Sequence, residues 1–172
     1  MAMQTDVLSA HLNSSGQMYV GRTRLKAVQS VASATAGTVN IWDATAAPTA
    51  MTYGRSGTTV TVTLAAHGFT TGQTKGLTFG AAGGVSATNG NYVITVVDSS
   101  TFTVTDINSG TIATSTGGAV GNRWLTSFDT AALTTSGVPQ TMFFTLPGEG
   151  IVAYSGIYAF LSNQTGLTIF YG

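Results

Sequence analysis

Cysteine is absent from this sequence of 172 residues, proline occurs three times, and charge is scarce: six basic side chains and six acidic ones, 7% of the chain. Without cysteine there is no disulfide framework and no thiolate metal site, so a reducing site of assembly is permitted. The charged fraction lies far below the quarter or so usual in soluble proteins. Little colloidal repulsion then keeps copies apart, and much of the surface is expected to be covered by partners. A net charge of zero argues against nucleic-acid binding through phosphate neutralisation. No run approaches the roughly 20 apolar residues of a membrane-spanning helix. The stretch MAMQTDVLSAHL has neither a basic n-region nor an apolar h-region, so no membrane or secretion route is expected.

What is there is an all-β composition: 22 glycines, abundant Thr and Ser, and Val, Ile, Phe and Tyr at strand spacing between turn residues. Residues 17–31, QMYVGRTRLKAVQSV, alternate as a strand, with Arg22, Arg24 and Lys26 on one face and Thr23, Leu25 and Ala27 on the other. A second strand, Thr38 to Asp43, is followed by ATAAPTA, which reads as a linker around Pro48. The stretch MAMQTDVLSAHLNSSG reads as an arm or an edge strand. From Met51 to Val120 the texture is Thr/Val/Gly, in short segments broken at His67-Gly68, Thr71-Gly72, Asn89-Gly90 and Asp98-Ser99-Ser100, the pattern of a small β-barrel or meander. Beyond Gly121 the strands become aromatic again. Neither flank has enough strands to bury a core alone. The expected organisation is therefore a discontinuous outer β-sandwich, jelly-roll-like, over 1–48 and 121–172, with a small β-barrel nested at 49–120.

Candidate chemistry is sparse. His11 and His67 stand alone, and His67 before Gly68 reads as a turn residue. The acids Asp6, Asp43, Asp98, Asp106, Asp129 and Glu149 are dispersed, giving neither a metal-ligand cluster nor a glycosidase pair at short spacing. No G-x-S-x-G elbow is present, and GAAGG and STGGA lack the ending of a phosphate loop. The reading is no enzyme, no metal and no cofactor.

Two constellations point to contact instead. Arg22, Arg24 and Lys26 are either a solvated or charge-guarded strand face or a docking stripe for an acidic patch on a larger assembly. The strands QTMFFTLP, GIYAFLS and GLTIFYG carry large side chains on both faces, so Phe143, Phe160, Phe170 and Tyr171 are candidate subunit-interface residues.

TTVTVTLAAHGFTTGQTKGLTFG and TNGNYVITVVDSSTFTVT resemble the small β-barrel modules of bacteriophage structural proteins, similar to the first-catalytic-cysteine half-domain of ubiquitin-activating enzymes. No catalytic residue carries over. VLSAHLNSSGQMYVGRTRLKAV and LPGEGIVAYSGIYAFLSNQTGLTIFYG resemble short tailed-phage virion proteins, many of which lack the inserted module. The resemblance implies a capsid decoration or cement protein on the head exterior, assembled in the host cytoplasm. Its implied partners are the major capsid protein and copies of itself, as a trimer, with no membrane and no nucleic acid. Alternatives are a tail, head-to-tail or fibre-attachment component, and a displayed module that binds the host surface through loops around Gly80 to Asn91.

Overall fold

The computed structural model describes residues 7–81, 84–131 and 140–172, with the side chains at 114 and 115 left aside. Asp6 and two residues of the GAAGG turn therefore lie outside the described residues. The regular elements are all strands. In chain order they are β1 (Leu8–Leu12), β2 (Gly16–Val20), β3 (Thr23–Ala32), β4 (Gly37–Asp43) and β5 (Thr49–Thr63). Next come β6 (Thr74–Phe79), β7 (Gly90–Val93), β8 (Thr95–Asp98), β9 (Thr101–Gly121) and β10 (Arg123–Thr130). The last four are β11 (Thr141–Thr145), β12 (Ile151–Ala153), β13 (Gly156–Ser162) and β14 (Gln164–Tyr171). They divide between two compact units, Met1–Ala47 with Leu125–Gly172, and Pro48–Trp124.

The first unit holds two sheets, ordered β1-β14-β3-β11, with β12 also on β3, and β10-β4-β13-β2. Period-two alternation explains why they pack face to face. In β14, Leu167, Ile169 and Tyr171 share one side; in β4, Val39 and Ile41 do; in β13, Ile157 and Ala159 do. These side chains meet Leu25 and Val28 of β3 in one buried cluster. Full burial of each large aliphatic side chain contributes about 1.5–3 kcal/mol, so these positions fix which face of each strand turns inward.

Strand β3 departs from simple alternation. Phe170 opposes Ala27 and Tyr171 opposes Leu25, which leaves Lys26 as the extra residue of a bulge. The bulge resets the phase, so that Leu25 and Val28 both reach the core. The other edge of β3 is shared by β11, where Phe143 opposes Gln29, and β12, where Val152 opposes Arg24. The loop LPGEG joins them. Its Leu146 N–H donates to Lys26 O at 2.8 Å, and Gly150, at φ +80°, lies so close to β3 that a Cβ there would sit 2.1 Å from Leu25 O. Only glycine fits that backbone and that gap.

Several buried polar groups of this unit are satisfied locally, although Gln17 Oε1 and Asn40 Oδ1 are buried without a partner. Ser30 Oγ donates to Gln164 Oε1 at 2.7 Å, and Gln164 Nε2 donates to Thr130 Oγ1 at 2.7 Å. Asp43 accepts from the backbone N–H of Tyr154 at 2.8 Å and of Ser155 at 2.7 Å, which shapes the turn between β12 and β13.

The second unit is one antiparallel sheet, β5-β9-β6-β7, with β8 also on β9. Two long strands dominate it, where the sequence reads as several short segments. Strands β5 and β9 pair from Thr49↔Val120 at the root to Thr63↔Thr101 at the tip. A register shift between Gly57 and Thr59 sets residues 106–109 against Thr58 alone, so β9 kinks without ending. Tyr53, Val60, Val62, Leu77, Ile94, Phe102 and Val104 form the core. The closed barrel expected from the sequence is not formed among the described residues: the hydrogen-bonded path runs open from β5 to β7, since β7 pairs with β6 and β8 with β9, and neither closes onto β5.

Candidate docking surface

The outward face of the first sheet follows from the inward one. With Leu167 and Ile169 in the core, Thr168 and Phe170 of β14 turn the other way; with Val28 and Ser30 buried, Gln29 of β3 does too. Phe143 of β11 stands beside Gln29 and is 57% exposed. Its ring meets that of Phe170 edge-on, with centroids 5.8 Å apart, a favourable aromatic geometry. On β1, at the other side of this sheet, His11 Nδ1 is hydrogen-bonded to Thr168 Oγ1 at 2.9 Å.

Of the four aromatic candidates, the structure thus brings Phe143 and Phe170 together. Phe160 is half exposed but belongs to β13 of the other sheet, opposite Asn40. Tyr171 faces inward, a member of the core with its ring 4.7 Å from that of Tyr19. Phe144, the neighbour of Phe143, turns towards Phe128 of β10, with centroids 5.0 Å apart.

The basic stripe is less uniform than its spacing suggests. Arg22 precedes β3 and holds its guanidinium 6.0 Å from the centre of the exposed Tyr154 ring, at the outer limit of a cation–π contact. Arg24 pairs with Glu149 at 3.3 Å on the surface, an interaction of about 0–1 kcal/mol. Lys26 occupies the bulge. Tyr154 and Glu149 are the contributors that the sequence reading missed. Both sit in turn segments, AYSG and LPGEG, whose approach to β3 no local pattern announces.

In the second unit an open depression of about 540 Å³ is lined by Gly90, Asn91, Tyr92, Val93, Thr105 and Ile107. Two of its polar side chains are already engaged. Asn91 Nδ2 donates to Trp124 O at 2.9 Å while its Oδ1 accepts from Trp124 N–H at 2.8 Å, and the Tyr92 hydroxyl donates to Thr88 O. Beside them and Thr105 stand two exposed apolar side chains, Val93 at 65% and Ile107 at 88%.

Behind it lies an ion pair that the sequence reading did not find. Arg55 and Asp106 meet at 3.1 Å with both side chains fully buried. The guanidinium also donates to the carbonyls of Val85, Ser86, Gly57 and Asn108, and the carboxylate accepts from the N–H of Thr88 and Asn108. Burial pushes the Asp106 carboxyl up, but hydrogen bonds from Thr88 and Asn108 and the Arg55 charge outweigh it and hold it below its ordinary value. Burial, reinforced by the Asp106 charge, pushes the Tyr92 phenol up to about 12. The one sequence signal for Arg55 is its place between Gly54 and Gly57 in a strand otherwise made, Met51 and Tyr53 apart, of small and β-branched residues.

Both histidines are hydrogen-bonded within the fold. His67 Nδ1 accepts from Phe69 N–H at 3.0 Å, so the ring proton sits on Nε2 and donates to Asp98 O at 2.9 Å. Among the described residues no three His, Cys, Asp or Glu side chains gather as metal ligands. Comparison with protein-family models, with characterised proteins and with solved structures finds no match.

Proposed function

We propose that this chain is a structural protein of a tailed-phage particle, a decoration or cement protein that docks on the major capsid protein through the outward face of its first sheet. The observation that carries the docking reading is the Phe143–Phe170 pair: a large apolar contact left open on a sheet face, with Arg24 and Lys26 on β3, the strand that lies between β14 and β11. Apolar anchors of this kind supply most of the affinity at an interface, while neighbouring cations steer towards an acidic partner. The placement on a virion rests on the resemblance of LPGEGI and the terminal strand to phage proteins. Specific interfaces bury roughly 1,200–2,000 Å² in total, and many copies acting together raise the effective affinity. A shell held in this way resists internal pressure by sharing it over many small contacts.

Copy number in purified particles tests this. The expected result is hundreds of copies per particle, with co-sedimentation on shells weakened by salt and abolished by reversing Arg22, Arg24 and Lys26 to Glu together. Absence from particles, or binding indifferent to both salt and charge reversal, would overturn it. A second reading, binding of a host surface by the second unit, is favoured by the apolar depression at Val93 and Ile107. Retained host adsorption after deletion of residues 51–120 would count against that one.

A further inference from the structure

Strand β11 ends the first sheet, and the direction of its backbone groups can be read from its flanks. Ala32 N–H donates to Gln140 O at 3.0 Å, and Leu146 N–H donates to Lys26 O at 2.8 Å. Between them the pairing with β3 runs without a shift, Thr141↔Val31 to Thr145↔Ala27. In an antiparallel ladder the hydrogen-bonding groups of successive residues point to opposite sides. Residues 140, 142, 144 and 146 therefore bond to β3, and Thr141, Phe143 and Thr145 present their N–H and C=O groups to the open edge. No described strand takes them up.

Protein edges of this kind are normally guarded by charge, proline or a bulge. Here Thr141 to Thr145 contain neither charge nor proline, and no charged residue occurs from Thr130 to Gly148. The edge is also its own complement. Read in either direction, its outward residues are Thr, Phe, Thr.

We infer that β11 is a self-pairing edge, joining two copies of the chain antiparallel about a two-fold axis at Phe143. In that register Phe143 opposes its own counterpart, Thr141 opposes Thr145 of the second copy, and every outward N–H and C=O of the three residues is used. Registers centred one residue away leave a threonine unpaired. A two-fold interface of this type is self-complementary by construction, and its affinity comes from main-chain hydrogen bonds. The arrangement is two-fold, in place of the trimer that the resemblance implies. It deepens the docking reading without depending on it: the Phe170 and Phe143 rings of both copies would line up across one continuous sheet and double the apolar surface offered to a shell.

Sedimentation equilibrium of the full chain over a concentration series tests this. The parent protein is expected to be a dimer. Phe143→Pro removes the outward N–H and leaves the ladder to β3 intact, since residue 143 gives no hydrogen bond to that strand. It is expected to be a folded monomer where the parent is dimeric, whereas Phe143→Thr keeps the edge and the dimer. Because the chain has no cysteine, Phe143→Cys supplies a second readout should the proline variant not fold. Opposed residues in a hydrogen-bonded pair lie about 5.5 Å apart at Cα, within disulfide reach, so oxidation should yield a covalent dimer, while Val97→Cys, on the second unit, should not. A parent that is monomeric or trimeric, a dimer that survives Phe143→Pro, or no cross-link through position 143 overturns the inference. Loss of shell binding by a protein that still dimerises would instead count only against the capsid reading.

Discussion

Arg55 and Asp106 face each other at 3.1 Å with neither side chain touching solvent, in a chain that has only six charges of each sign. The pair draws in the carbonyls of Val85 and Ser86 from one segment and of Asn108 from another. It therefore fixes the loop before β7 and the kink of β9 at once, and with them the wall of the depression around Tyr92.

Removing one partner alone leaves an uncompensated buried charge. Arg55→Met or Asp106→Ala is expected to destabilise the second unit by about 3–5 kcal/mol, while the double apolar replacement is expected to be much milder. Urea denaturation of the four proteins, treated as a double-mutant cycle, measures the coupling.

The pH response follows from the same site. Folding lowers the Asp106 carboxyl, so its contribution to stability is complete above the ordinary carboxylate value of about 4 and is lost as the pH falls through the lower folded value. Melting temperatures measured down the acid limb should fall more steeply for the parent than for Asp106→Asn.

Tyr92 acts at the other extreme. Its phenol is raised from 10.0 to about 12, so the stability linked to its neutral form is full below the unfolded value and disappears as the pH rises through the folded one. Phenolate absorbance should show a late-titrating phase, and Tyr92→Phe should diminish that phase and flatten the alkaline loss of stability.

Two glycines of the same loop should respond differently to alanine. Gly148, at φ +64°, has open space where a Cβ would go, so Gly148→Ala is expected to cost about 1–2 kcal/mol of backbone strain. Gly150→Ala adds a collision with Leu25 O and is expected to lose well beyond that, read as a lower urea midpoint for the first unit.

Asp43 is buried and bonds the N–H groups of Tyr154 and Ser155. Asp43→Ala is expected to destabilise the first unit by about 1–3 kcal/mol, because those amides lose their acceptor. Hydrogen exchange at residues 154–156 should accelerate before that of β14.

Alternation in the sequence separates Leu167, Ile169 and Tyr171 from Phe170, and the structure keeps that partition. It does not say which side is the inside, and for that reason Tyr171 and Phe170 read alike as interface residues although one lies in the core and the other on the outward face. The Lys26 bulge was not read: residues 17–31 pass for unbroken alternation, and only the pairing with β14 shows the phase reset between Leu25 and Ala27. Nor was the kink at residues 106–109: DINSG reads as a turn between two strands, and only the pairing with β5 shows that one strand continues through it. Arg55 was missed because a lone arginine in a Thr-rich strand looks solvated. Its partner lies far along the chain, where spacing carries no information.

The root of the β5–β9 ladder, Thr49 opposite Val120, has a physical corollary. A tug applied at those two ends loads the ladder one rung at a time from its base, as in opening a zipper, and a ladder pulled in that direction yields at far lower force than one sheared along its length. The second unit should therefore open at low force when it is gripped and pulled at those two ends, and re-form when the strain is released.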